Sequence, residues 1–177
     1  MSPARRLLAA AAALLALGGC GGDEAVTVLT CPQVYVVADA SRLIEYAPGD
    51  GRDLIDKRFE AEIEQVEWLC SFFTEENRVE TEVRFALRAE MGPAAQQRQA
   101  RFPYFVVVTA PSGEVLAKQV FAIDIAFPGN ARMIRHIESV FQTLSYGSLA
   151  EASRYTVYIG FQLTPEQLAE ARAGVGF

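Results

Sequence analysis

Alternating apolar and polar positions dominate this chain, and such a period of two predicts β-strands with one buried face. The alternation is clearest after the turn at 74–77. The apolar side chains of that segment share one face: Val79, Val83, Phe85 and Leu87. The positions between them are mostly charged. Because an antiparallel sheet can leave one face in water, we predict a half-solvated antiparallel strand here.

The preceding segment, 59–72, changes parity along its length. Its apolar residues occupy odd positions up to Ile63. They then continue on even positions at Val66, Trp68, Cys70 and Phe72. One inserted residue re-aims the side chains of a strand in this way, so the pattern predicts a β-bulge near Glu64 and Gln65.

The rest of the chain is also rich in strand signals. Short apolar runs predict strands at 34–38, 104–109, 115–125 and 155–163. The turn at Pro111-Ser112-Gly113 makes the second and third of these a hairpin, while 91–103 is predicted to be a polar loop closed by Pro103. A second long polar loop is predicted after residue 38.

One segment is ambiguous, and the C-terminus contains a helix signal. The apolar spacing over 132–144 fits a helix better than a strand, yet its β-rich surroundings favour a strand, which we adopt. Thr164 followed by Pro165 and an acidic residue predicts the start of a short helix.

About seven strands joined by antiparallel turns predict an all-β chain folded as a β-sandwich. Leu149 followed by Tyr155, and then Val157 and Ile159 in alternation, resembles the tyrosine corner of immunoglobulin-like and fibronectin type III-like domains. A tyrosine at an ordinary strand start is the alternative. We therefore expect an immunoglobulin- or fibronectin III-like antiparallel β-sandwich over residues 31–177 with a short C-terminal helix.

The N-terminus has the three parts of an export signal: two arginines, an apolar stretch over 7–17 and a small-residue cleavage site. That stretch is too short to cross a bilayer as a helix. The segment Leu17-Gly18-Gly19-Cys20 resembles the lipobox of bacterial lipoprotein precursors. The resemblance implies a signal peptide over 1–19, fatty acylation of Cys20 and a lipidated tether over 20–30. An ordinary secretory signal with a chance cysteine is the alternative.

The net charge of the chain bears on which classes of partner it can bind. Removal of the signal takes away Arg5 and Arg6, which leaves 14 basic against 22 acidic side chains and a net charge of −8. An acidic chain without a basic patch is a poor ligand for nucleic acid, so no nucleic-acid partner is predicted. Retention at a membrane must then come from the acyl chains.

The other two cysteines, Cys31 and Cys70, can form a disulfide in an oxidising compartment. Two buried free thiols are the alternative. A metal site is not predicted, because two isolated cysteines and one distant histidine lack ligand spacing.

Catalytic signals are weak. The single histidine, His136, has no accompanying Gly-x-Ser-x-Gly segment, so we predict no catalytic residue and no cofactor. Calcium ligands are conceivable in an acidic set whose spacing does not match an EF-hand loop: Asp39, Asp50, Asp53 and Asp56. A glycosidase carboxylate pair is conceivable in a second set, which is more typical of a solvated or edge-protecting strand face: Glu60, Glu62, Glu64 and Glu67.

Four segments resemble a family of small alphaproteobacterial outer-membrane lipoproteins without an assigned activity: Val37-Ala38-Asp39-Ala40, Gly51-Arg52-Asp53, Glu114-Val115-Leu116-Ala117-Lys118 and Gly160-Phe161-Gln162-Leu163-Thr164. The resemblance implies export and this fold, and it transfers no catalytic residue. Gly21 after the acylated cysteine favours the outer membrane, facing the periplasm.

We therefore expect a non-enzymatic, lipid-anchored envelope protein that acts as an interaction or assembly module with an unidentified protein partner. The alternatives are a periplasmic small-molecule or calcium-binding protein and, less favoured, a carbohydrate-active enzyme.

Overall fold

Two four-stranded β-sheets pack face to face in the computed structural model, which describes residues 29–174. The strands are β1 (Gln33–Val36), β2 (Arg42–Tyr46), β3 (Lys57–Phe73), β4 (Arg78–Met91), β5 (Gln99–Thr109), β6 (Val115–Ala126), β7 (Met133–Ser145) and β8 (Thr156–Phe161). The helices are α1 (Leu149–Ala152) and α2 (Pro165–Ala173). The predicted all-β sandwich with a short C-terminal helix is confirmed. The predictions for residues 1–28, including Cys20, lie outside the described part.

The strand order is β1-β8-β5-β6 in one sheet and β2-β3-β4-β7 in the other. Neighbouring strands are antiparallel, with one exception: β1 runs parallel to β8. Strand β5 is central in its sheet, as its apolar composition predicted, and it forms the expected hairpin with β6. The ambiguous segment 132–144 forms β7, so its prediction as a strand is confirmed.

The core lies between the sheets and is built from the inward positions of the alternating strands. Phe85 of β4 meets Tyr104 of β5 edge-on, with ring centroids 5.3 Å apart. Phe102 and Phe161 make a second aromatic contact at 6.4 Å. Val79, Val83, Phe85 and Leu87, the predicted apolar face of β4, are fully buried. Burial of large side chains such as these is the main favourable term in folding.

The predicted β-bulge in β3 is confirmed. Ile63 pairs with Leu87 and Gln65 pairs with Ala86, so Glu64 is the additional residue. The bulge keeps apolar residues on the inner face before and after it, despite the change of parity in the sequence.

Two predicted loops contain strand residues. The polar loop predicted after residue 38 includes β2, whose alternation is obscured because only Leu43 is fully buried. The loop predicted over 91–103 ends early, since β5 begins at Gln99 and includes Pro103. The carbonyl oxygen of Pro103 accepts the N–H of Gln162, just beyond the end of β8. Proline has no N–H to donate, but this removes no hydrogen bond from the interior of the sheet, because the pairing between β5 and β8 ends at this position.

The tyrosine corner is present. Tyr155 is buried just before β8, and its hydroxyl donates a hydrogen bond to the carbonyl oxygen of Ser145, 3.0 Å away, at the end of β7. This bond ties one sheet to the other, because β7 and β8 belong to different sheets. Burial raises the pKa of the Tyr155 hydroxyl, which therefore remains a donor at neutral pH.

Cys31 and Cys70 form a disulfide, as expected. Cys31 precedes β1 in one sheet, and Cys70 lies in β3 of the other, so the bond links the start of the sandwich to its second sheet. The loop it closes is 39 residues long.

A carboxylate is buried on the outer face of the second sheet. Glu60 is 6 % exposed and is ion-paired with both Arg42 and Lys57. Burial by itself would raise the pKa of Glu60, but the hydrogen bonds from Lys57 and Arg42 outweigh it, and the net shift is downward. Glu60 is therefore ionised at neutral pH, and its ion pairs with Arg42 and Lys57 stabilise the fold there.

Replacing Cys31 and Cys70 together by serine should lower stability through loss of the crosslink. The chain-entropy model assigns about 4 kcal/mol to a loop of this length, and measured values are often smaller. Thermal unfolding of the double variant should match that of the reduced native protein. An unchanged melting temperature on reduction would contradict this role.

Glu60→Gln should destabilise the protein at pH 7 by about 3 kcal/mol, because it leaves Arg42 and Lys57 next to an uncharged group. The folded-state pKa of Glu60 lies below its ordinary value of 4.5, so its contribution is present above that pH. The contribution is lost as the pH falls through the folded-state value.

Urea unfolding at pH 7 and at decreasing pH measures this difference, which should shrink toward acid. Glu62→Gln is the matched control, because Glu62 is paired with Arg88 at a half-buried position that is more open to solvent than that of Glu60. It should cost no more than about 1 kcal/mol. Equal effects of the two substitutions would contradict the assignment.

Candidate interaction surface

The single histidine is part of a polar group at an edge strand. Glu138 points inward from β7 and bonds with one oxygen to the hydroxyl of buried Tyr104, at 3.1 Å, and with the other to His136 Nε2, also at 3.1 Å. Burial and the negative charge of Glu138 raise the pKa of Tyr104 well above its ordinary value. The hydroxyl is therefore a permanent donor to Glu138.

This triad lacks the parts of a nucleophilic site. Within residues 29–174, the only hydrogen bond of the His136 ring is to Glu138, and a hydrolase would also need a hydroxyl or thiol nucleophile on that ring. Polar side chains that point inward on an edge strand have another effect, since they oppose pairing of that edge with a second sheet. The geometry thus favours a structural role for His136 and Glu138.

The carboxylates of β3 are mostly occupied by arginines. Arg88 binds both Glu62 and Glu64, and Arg135 of β7 reaches Glu64 at 3.3 Å. These pairs run across β3, β4 and β7 on the outer face of the sheet. Glu60 differs from the predicted solvated face because it is buried. A carboxylate pair for glycoside hydrolysis is not favoured by this arrangement, since three of the four glutamates neutralise cations.

Three of the four aspartates considered as calcium ligands bond to other groups of the protein. Asp53 and Asp56 form a reciprocal capping box around the 3₁₀ turn at Leu54–Asp56. Asp39 is bound to Arg172 of α2, at 2.9 Å. Among the residues that the structure describes, no three acidic, histidine or cysteine side chains converge as metal ligands.

A groove of about 410 Å³ lies between β2 and α2. Arg52 crosses it, stacked over the ring of Tyr46 at 5.1 Å and bound to Glu170 of the helix. Gln167 also spans it and donates to the carbonyl oxygen of Ile44, at 3.1 Å. Its polar groups thus bind one another and fasten α2 to the sheet.

Exposed apolar side chains occur where β3 extends beyond the end of its neighbour, β2. The pairing with β2 stops at Arg42 opposite Glu62, so among the described residues β3 has no strand partner on that side from the bulge to Phe73. In this unpaired stretch Trp68 is 38 % exposed and Leu69 is 56 % exposed. The predicted apolar face of β3 is therefore only partly buried at Trp68, because no β2 residues cover this half of the strand.

Leu29 is also exposed and lies two residues before Cys31. The disulfide holds Cys31 beside Cys70, so Leu29 enters the fold at the same end of β3 as Trp68 and Leu69. We call these three residues the entry patch. Sequence reasoning missed it, although one signal was available: Trp68 and Leu69 are adjacent, so they cannot both belong to one buried face.

Other exposed apolar residues lie elsewhere. Leu54 and Ile55 are each 73 % exposed in the 3₁₀ turn before β3, at the far end of that strand from Cys70. The outer face of edge strand β7 carries three more: Met133, Ile137 and Phe141.

Comparison with protein-family models, with curated proteins and with solved structures finds no match to this chain. No helix within the described residues combines the length and apolar character needed to span a bilayer.

The Tyr104 and Glu138 interaction can be tested by a double-mutant cycle. Glu138→Ala should cost about 1–3 kcal/mol, because it strands the buried Tyr104 hydroxyl. Tyr104→Phe in that background should restore part of the loss, whereas the same change in the native protein should destabilise. Urea unfolding of the four proteins gives the coupling energy. Strictly additive effects would show that the hydrogen bond is unimportant.

Proposed function

We propose that this chain is a non-enzymatic lipoprotein of the cell envelope, anchored through fatty acyl chains on Cys20 and acting as an interaction or assembly module. The disulfide is the observation that carries the proposal. Disulfides of this structural kind persist in oxidising compartments and are rare in the bacterial cytosol. The Cys31–Cys70 bond thus supports export independently of the signal-like N-terminus.

The internal bonding of the polar groups supports the non-enzymatic part of the proposal. Glu138 binds both His136 and Tyr104, and three of the β3 carboxylates bind arginines or a lysine. The calcium-carrier alternative receives less support, since Asp53 and Asp56 cap a turn and Asp39 binds Arg172. The carbohydrate-active alternative receives less support, since three of the four β3 glutamates are paired with cations.

The sandwich itself suits a binding role. Edge strand β6 and the outer face of β7 both carry exposed apolar residues. Such edges and faces are common recognition surfaces for a protein partner. Location at the outer membrane, facing the periplasm, is part of the proposal and rests on Gly21 and on the resemblance to outer-membrane lipoproteins.

Cys20→Ser should abolish both acylation and membrane retention. In bacterial cells fed an alkyne-tagged palmitate, the native protein should carry the label and sediment with membranes after a high-salt wash. The serine variant should be unlabelled and should remain in the soluble fraction, because serine offers no thiol for acylation.

Cys70→Ser is the matched control, since it removes a different cysteine and should leave the label intact. Native protein found unlabelled in the cytosol with its first nineteen residues attached would overturn the proposal.

A further inference from the structure

The entry patch is fixed beside the point where the chain leaves the fold toward Cys20. The Cα atoms of Cys31 and Cys70 are 5.6 Å apart. Trp68 is two residues from Cys70 on the same strand, which is roughly 7 Å along it. The disulfide therefore places Cys31, two residues after the first described one, beside the part of β3 that carries Trp68 and Leu69.

Packing of the core does not explain why the side chains of this patch are exposed. Val66, Cys70 and Phe72, the even-numbered neighbours of Trp68, pack against the core. Trp68 lies between them yet remains more than a third exposed, and Leu69 points to the opposite face. An indole and a leucine side chain on one strand segment are thus left in contact with solvent on both faces.

The tether determines which part of the domain lies near an anchoring membrane. Leu29 lies nine positions after Cys20. Even when fully extended, a segment of this length spans no more than about 30 Å. Strand β3 has 17 residues and is roughly 55 Å long. An acylated Cys20 therefore keeps the Cys70 end of β3 close to the bilayer, while the turn with Leu54 lies at the opposite end of the strand.

We infer that the entry patch is a membrane-docking surface, in which Trp68 and Leu69, together with Leu29, rest in the headgroup region of the bilayer that holds the acyl chains. The inference rests on the proposed acylation of Cys20. Tryptophan is enriched at this depth because its ring has an apolar body and a polar N–H. The short tether supplies a high effective concentration, so a small apolar contact is sufficient.

Charge plays little part in this docking. The mature chain has a net charge of −8, and Glu67 lies next to Trp68. Attraction to anionic lipid headgroups is therefore excluded as the source of the contact. Docking through apolar side chains should persist on zwitterionic lipid and at high salt.

Trp68 is the only tryptophan of the chain, so its fluorescence reports this surface directly. The full acylated protein is reconstituted into phosphatidylcholine vesicles with or without bromine on the lipid chains near the headgroup. We expect the Trp68 emission to shift to shorter wavelength on reconstitution and to lose much of its intensity on brominated lipid. Both effects should survive high salt.

A relocated tryptophan provides the matched control. The variant with Trp68→Phe and Leu54→Trp carries its indole at a more exposed apolar position, at the far end of β3. It should float with the vesicles as the native protein does, while its emission stays red-shifted and unquenched. Circular dichroism confirms that the variant is folded.

The outcomes separate the two proposals. Absence of acyl chains on Cys20 by mass spectrometry would defeat the proposed function itself. Acylated protein that floats with vesicles, yet whose Trp68 is unquenched, would overturn the docking surface and leave the lipid anchor in place. Equal quenching at positions 54 and 68 would also overturn it, since the domain would then lie flat on the bilayer.

Discussion

Hydrophobic contact between the two sheets is the interaction on which the rest of the structure depends. Its centre is the meeting of Phe85 with Tyr104, each fully buried and each from a central strand. Tyr104 brings a hydroxyl into this interior, and a buried hydroxyl without a partner is costly. Glu138 supplies that partner from the edge strand β7. The need to satisfy one polar atom of the core thus explains why a charged residue points inward at an edge.

The unequal lengths of β2 and β3 determine where the surface is irregular. Beside β2, the outer face of β3 carries a buried carboxylate paired with Arg42 and Lys57. Beyond the end of β2, the bulge at Glu64 re-aims the strand, and its free edge is left with Trp68 and Leu69 exposed. The disulfide then attaches the incoming chain to this same free half of β3. The disulfide and the exposed apolar side chains therefore lie on the same half of β3, because β3 extends beyond the end of β2.

Much of the fold could be predicted from the sequence, because apolar and polar residues alternate clearly in every strand that has one buried face and one solvent-exposed face. Strand β4 and the bulge in β3 were found in this way. Strand β2 was missed because α2 covers its outer face, which makes Ile44 and Tyr46 partly buried on the side where polar residues would be expected. Pairings across the sandwich, such as that of Tyr104 with Glu138, join residues 34 positions apart and leave no local signal. Cysteine placement predicted the disulfide, yet only the structure places Trp68 beside it.

The exposed apolar residues at the end of the sandwich opposite Cys70 are held in place differently from those of the entry patch. Leu54 and Ile55 project from a 3₁₀ turn whose conformation is held by the reciprocal bonds of Asp53 and Asp56. Because these bonds are local, the turn keeps its shape without burying either apolar side chain in the core. A domain held to a bilayer at the Cys70 end would present this turn at roughly the length of β3 from the lipid surface. In a domain anchored through Cys20, strand length and disulfide position would together place one exposed apolar end near the anchor and leave the other end facing the aqueous side.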